Sequence, residues 1–251
     1  MRRSQSRNRS SRRCLQIEAL EARRVLAVSF EFNYLGSGAI GFRDPVEGAA
    51  RREAMERAGT ELGALFDHTA KIEVDVTSSS SGGLASASAR FASNPPLGGG
   101  FYGGIPYQKI LTGADGNGPA ADASVTVFFG NATWYAGTGV TPNNAYDLTA
   151  IMKHELLHTI GLSSGISRTG SDRWGTPPGA VGGIWHPFDR FVSDREGDSL
   201  IDRTNFQLDL AAWQAHSTGG TSPAAGLFFN GPNAVAANGG ELLGLYSPGS
   251  W

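Results

Sequence analysis

The run AYDLTAIMKHELLHTIGL contains His154-Glu155-Leu156-Leu157-His158, two imidazoles and a carboxylate within one pentad. No other feature of the chain constrains its fold as much. On an α-helix, positions i and i+4 stand one turn apart on one face, so both imidazoles can reach a single ion. Glu155 lies beside the first of them and can deprotonate a water that the ion activates. Zinc brings the pKa of such a water to about 7. Ala150, Ile151, Met152, Leu156, Leu157, Ile160 and Leu162 supply the apolar surroundings of a buried helix. Asp147 or Asn144 can cap its start, and Asp147 also suits the positive end of the helix dipole. Gly161 follows closely enough to end the helix in a left-handed turn. The candidate metal ligands are His154 and His158, the candidate general base is Glu155, and the expected cofactor is Zn2+. The bland alternative is a buried helix whose two histidines are merely hydrogen-bonded.

Catalytic zinc usually takes three protein ligands, and the third is not obvious here. The long metzincin pattern would put a His where Ser164 stands, preceded by Ser163, and neither is a usual zinc ligand. Met1, Met55 and Met152 all precede His158, so the 251 residues cannot form a Met-turn after the pentad. Glu196 and Glu241 are the only Glu that follow, and neither sits on a clear helical pattern. His186, Asp189 and His216 remain as in-chain candidates.

The net charge of −2 hides an asymmetry. Residues 1–24 carry eight Arg against Glu18 and Glu21, a net of +6, while the rest holds 13 basic and 21 acidic residues. A basic arm can bind nucleic acid, but the acidic body would repel phosphate and no nucleic-acid motif is present. A lone Cys14 allows no intrachain disulfide and does not report the compartment. No apolar run is long enough for a transmembrane segment, and the arm lacks the apolar stretch of a standard signal peptide. The oligomeric state is not encoded legibly.

The organisation expected is a disordered basic arm and sorting segment over residues 1–27, then one domain over residues 28–251. Within the domain, Val28–Tyr34 alternates as a strand. A long helix follows from Asp44-Pro45 to about Phe66, with Val46 and Leu65 on its inner face. Lys71–Thr77 is a half-buried strand with Ile72, Val74 and Val76 inward. Leu84–Phe91 is a weak strand, Asn94–Gly104 and Leu111–Ala121 are loops, and Ser124–Phe129 is a core strand. After the pentad, a Gly/Ser/Pro loop leads to a helix over Phe206–His216, a short strand over Gly226–Asn230 and a short helix over Pro232–Asn238. The fold class is α/β (α+β). The order strand, long helix, three strands, pentad helix is a zincin-like metallopeptidase layout, a twisted mixed sheet packed on a long helix. In that layout an edge strand binds the substrate backbone, and Val125–Phe129 or Gly98–Gly104 are the candidates.

Two resemblances extend this. The segment IEALEARRVLA resembles the LEPR-type sorting segment of exported planctomycete proteins, with Ala22 where Pro is common. It implies a bacterial protein sent to the cell surface or exterior. The segments AYDLTAIMKHELLHTIGL, PFDRFVSDREGDSLID, LFFNGPNAVAANGG and LYSPGSW together resemble bacterial exported metallopeptidases, distantly similar to leishmanolysin. The resemblance implies a zinc endopeptidase acting on protein or peptide, with His154 and His158 as ligands and Glu155 as base. It also implies a third His and a Met-turn downstream of a segment like LYSPGSW, which would make the domain incomplete at its C-terminus. Two other classes stay open: a non-catalytic exported module of the same fold, and a surface interaction protein with an accidental pentad.

Overall fold

The computed structural model describes residues 28–36, 39–217 and 226–246. The basic arm and the sorting segment lie outside the described residues. In chain order the elements are β1 (Val28–Tyr34), α1 (Gly48–Gly63), β2 (Ala70–Ser79), β3 (Ala85–Ala89), β4 (Gly100–Phe101), α2 (Ile105–Thr112), β5 (Ala123–Phe128), β6 (Trp134–Tyr135), β7 (Tyr146–Asp147) and α3 (Leu148–Thr159). They continue with β8 (Ile184–Trp185), β9 (Val192–Ser193), α4 (Leu210–His216), β10 (Leu227–Phe229), α5 (Pro232–Ala237) and β11 (Leu243–Leu245). No helix among the described residues is long and apolar enough to cross a membrane.

The chain is a mixed α/β fold built on a four-stranded sheet in the order β1-β2-β5-β3. The first three strands run parallel and β3 runs antiparallel to β5. Period-2 alternation explains why these segments are strands: Ile72, Val74 and Val76 of β2 and Val125 and Val127 of β5 are all buried. That face packs against Met55, Ala58 and Leu62 of α1 and Leu148, Met152 and Leu156 of α3 in one apolar cluster. Helix α1 crosses between two parallel strands, as a parallel connection requires. Its close approach to β1 depends on Gly63, where any Cβ would collide with the Val28 carbonyl. The Arg57 guanidinium ties α1 to α3, one nitrogen donating to Thr149 Oγ1 at 2.7 Å and to the Ala136 carbonyl at 3.1 Å. Lys153 of α3 pairs with Glu61 of α1.

A second cluster gathers Ile166, Trp185, Val192, Leu200, Ile201, Leu208, Trp213 and Leu227. It sits beside the three-stranded sheet β11-β10-β9 and α4.

Several expectations need correction. Helix α1 starts later than the Asp44-Pro45 reading because the Asp44 carboxylate accepts the Val46 and Glu47 N–H groups and holds a turn there. It stops at Gly63, leaving Val46 and Leu65 exposed rather than inward. Helix α2, inside a stretch read mostly as loop, was not expected. Helix α4 is shorter than Phe206–His216: Phe206 has φ 57°, Leu208 bridges Ile201, and Asp209 caps the helix through the Ala212 N–H. Finally, β5 is an interior strand, so Val125–Phe129 cannot be the open edge; the antiparallel edge is β3.

Candidate functional site

Helix α3 carries the whole pentad. Of its two proposed caps, Asp147 is the one used: its carboxylate accepts the Ala150 N–H at 3.1 Å and the Thr141 hydroxyl at 3.1 Å. At the other end Gly161 has φ 105°, and the Gly161 and Leu162 N–H groups donate back to the His158 and Leu157 carbonyls. The chain therefore leaves the helix immediately after His158 and folds back beside it.

The fold-back positions the second imidazole. His158 Nδ1 lies 2.8 Å from the Leu162 carbonyl, so Nδ1 carries the proton it donates and Nε2 presents its lone pair. His154 Nε2 stands 3.0 Å from His158 Nε2, with the rings nearly perpendicular. His154 is exposed and His158 half-buried, while Glu155 between them is buried. Burial raises the proton affinity of Glu155 above the ordinary carboxylate range, and His158 and His154 partly oppose that shift.

The third-ligand candidates do not join this pair. Among the described residues, no group of three or more His, Cys, Asp or Glu comes together as a metal site. Glu196 and Glu241 are exposed, and His216 ends α4. His186 lines the same cavity as His158, but its Nδ1 faces the Ser163 carbonyl at 3.0 Å and its buried Nε2 has no partner. Asp189 is wholly buried and serves as a clamp: one carboxylate oxygen accepts the Gly165 N–H at 2.8 Å and the His186 N–H at 2.9 Å. Burial pushes Asp189 up to about 7 against those hydrogen bonds. Ser164 Oγ accepts the Ile166 N–H in the same turn.

Two cavities meet at His158, Ser163 and Ser164. One, of about 300 Å3, is bounded by Ala87, Ser88 and Ala89 of β3 together with Phe91, Arg173 and His186. The other, of about 210 Å3, is walled by Leu162, Ile166, Phe188, Trp213 and Leu227.

The register of β3 decides what its free side offers. The Leu84 carbonyl accepts the Phe128 N–H, and the Arg90 N–H donates to the Asp122 carbonyl. The Leu84 carbonyl and the Arg90 N–H thus face the β5 side, while the Arg90 carbonyl accepts the Ile105 N–H, and antiparallel alternation turns Ser86 and Ser88 towards β5 as well. Ala85, Ala87 and Ala89 therefore turn their N–H and C=O groups to the open edge. The sequence signal for this was present in the alternation Ala85-Ser86-Ala87-Ser88-Ala89, but small residues made the strand look weak.

No protein-family model, no curated protein and no solved structure matches this chain. The pair, the buried carboxylate and the open strand therefore carry the functional reading by themselves.

Proposed function

We propose that this protein is a zinc-dependent endopeptidase with a zincin-like fold, exported by a bacterium, acting on protein or peptide substrates. One observation carries the reading: two histidine Nε2 atoms stand 3.0 Å apart beside a buried Glu155 on one helix. Tetrahedral zinc with bonds of about 2.0–2.1 Å sets two nitrogen ligands about 3.3 Å apart, so the pair fits two positions of such an ion. His154 and His158 would hold it, with His158 fixed in the ligating tautomer by the Leu162 carbonyl. Bound zinc supplies Lewis acidity, polarising a carbonyl and bringing the pKa of water to about 7.

The chain's own residues supply the rest. Glu155 takes the proton of the attacking water and hands it to the leaving nitrogen. Its raised proton affinity suits a group that must both accept and release that proton. The outward backbone groups of Ala85, Ala87 and Ala89 hold the substrate as an added strand. The apolar cavity at Trp213 and Phe188 accepts a side chain of that strand. Export rests on the sorting segment, which lies outside the described residues.

A catalytic site needs one more protein ligand than the pair provides. In this reading it comes from outside the described residues. The absence of a three-member ligand group among the described residues favours a second reading, a non-catalytic exported module of the same fold.

Hydrolysis of a quenched fluorescent peptide library by the zinc-loaded protein separates the two. The endopeptidase reading expects cleavage that a chelator abolishes and that Glu155→Gln lowers by about 10²–10⁴-fold. Cleavage at an unchanged rate in Glu155→Gln would refute it. A folded, zinc-loaded protein that cleaves nothing would favour the non-catalytic module.

A further inference from the structure

Arg173 stands in the wall of the cleft and forms no ion pair with any of the described residues. It lines the cavity that His158 shares with β3, and a second one of about 330 Å3 against Ser88, Arg90 and Ser124. Its guanidinium carbon lies 4.5 Å from the centre of the Phe91 ring. That ring is itself held: Trp174 meets it edge-on at 5.3 Å and His186 stacks on it at 5.2 Å. The stacked rings give the guanidinium a firm platform although its side chain is exposed.

Two other arginines of the sheet-and-helix body are already engaged. Arg90 pairs with Asp75 at 3.4 Å, and Arg57 donates to two carbonyls and to Thr149. Arg173 makes no ion pair or hydrogen bond among the described residues. No Asp or Glu among the described residues lines either cavity. The body of the chain holds 21 acidic residues against 13 basic ones, so a carboxylate-free wall with an unspent guanidinium runs against its average surface. Burial holds His186 below its ordinary range, against the hydrogen bond to the Ser163 carbonyl and with a smaller push from the Arg173 charge, which makes Arg173 the principal cation of that wall.

We propose that Arg173 is a specificity-determining residue that receives a substrate carboxylate, so that the cleft selects acidic peptides. A peptide paired to the outward groups of Ala87 and Ala89 runs through the same cavity as Arg173. One of its side chains, or its terminus, then meets a guanidinium that binds carboxylates in two-pronged fashion. The inference rests on the peptidase reading for the bound strand, but the carboxylate contact itself needs no metal.

The test uses the full chain, zinc-loaded, with short fluorescent peptides in which Glu, Gln or Lys is walked through each position. The peptides are C-terminally amidated, and the Gln peptide is also made with a free terminus. Affinity is read by anisotropy and cleavage by chromatography, for wild type, Arg173→Gln and Arg173→Glu. We expect one Glu position to bind about three- to tenfold more tightly than its Gln counterpart. The preference should vanish in Arg173→Gln and turn towards Lys in Arg173→Glu. Preference for the free terminus instead of an internal Glu, equally dependent on Arg173, would locate the carboxylate at the peptide end. Equal binding of the Glu, Gln and Lys peptides, or a Glu preference that survives Arg173→Glu, overturns the proposal. Arg173-dependent selection without any cleavage would support this subsite and sink the peptidase reading. Cleavage without selection would do the reverse.

Discussion

Asp147 and Asp189 are both carboxylates that organise backbone, and they do so in opposite electrostatic settings. Asp147 caps α3 from a partly exposed position, so its removal frees a helix-start N–H. Asp147→Ala should cost about 0.5–2 kcal/mol in urea unfolding, while Asn144→Ala, at the other proposed cap, should cost almost nothing. Asp189 is buried with no ion pair to any of the described residues. Its unfolded carboxyl ionises near 3.8 and its folded one at about 7, so between those values the native state keeps a proton that the unfolded chain has released. Stability conferred by the protonated form is present below the lower value and is lost as pH rises towards the upper one. The wild type should therefore lose ~2–4 kcal/mol relative to Asp189→Asn between pH 4 and pH 7, then run parallel to it. Thermal melts across that range check this; a constant difference would contradict it. At this scale the pentad was legible because its five residues carry their own geometry. The Asp189 clamp and the role proposed for Arg173 were not, because a clamp across a loop and the lack of an ion pair among the described residues are properties of contacts.

In the peptidase reading, strand β3 is the element on which substrate binding turns. Ala87→Pro removes an outward N–H and should leave the β5 ladder in place, whereas Ser88→Pro cuts the ladder itself. We expect Ala87→Pro to raise KM about tenfold with little change in stability, a loss on the scale of one hydrogen bond plus the bulk of the ring. Ser88→Pro should lower the melting temperature instead. Equal effects of both on KM would contradict the register argument. Strands β1, β2 and β5 were readable because alternating Val, Ile and Phe leave one inward face. Helix α2 was not, because its Lys109 is buried to meet Asp122 and Asp115 at 3.0 Å, and a pattern reading counts lysine as outward. The ends of α1 and α4 were misjudged for a related reason: side-chain turns at Asp44 and Asp209 compete with helix extension, and apolar residues continued the helical period past them.

At the scale of the whole molecule, two apolar clusters frame one cleft. The sheet and helices α1 and α3 fix the pentad, and the cluster around Trp185 and Trp213 supplies the opposite walls. The mixed sheet over a long helix was legible from element order. The assembly of the second cluster was not, since its strands are two or three residues long and pair through long loops. Whether the cleft is a metal centre is the claim on which the rest depends. Bound zinc per chain, measured by elemental analysis after dialysis for wild type and His158→Ala, tests it most directly. The peptidase reading predicts close to one zinc in the wild type and almost none in the variant, because each nitrogen contributes to holding the ion. Zinc-free wild type, or equal zinc in both proteins, would contradict it.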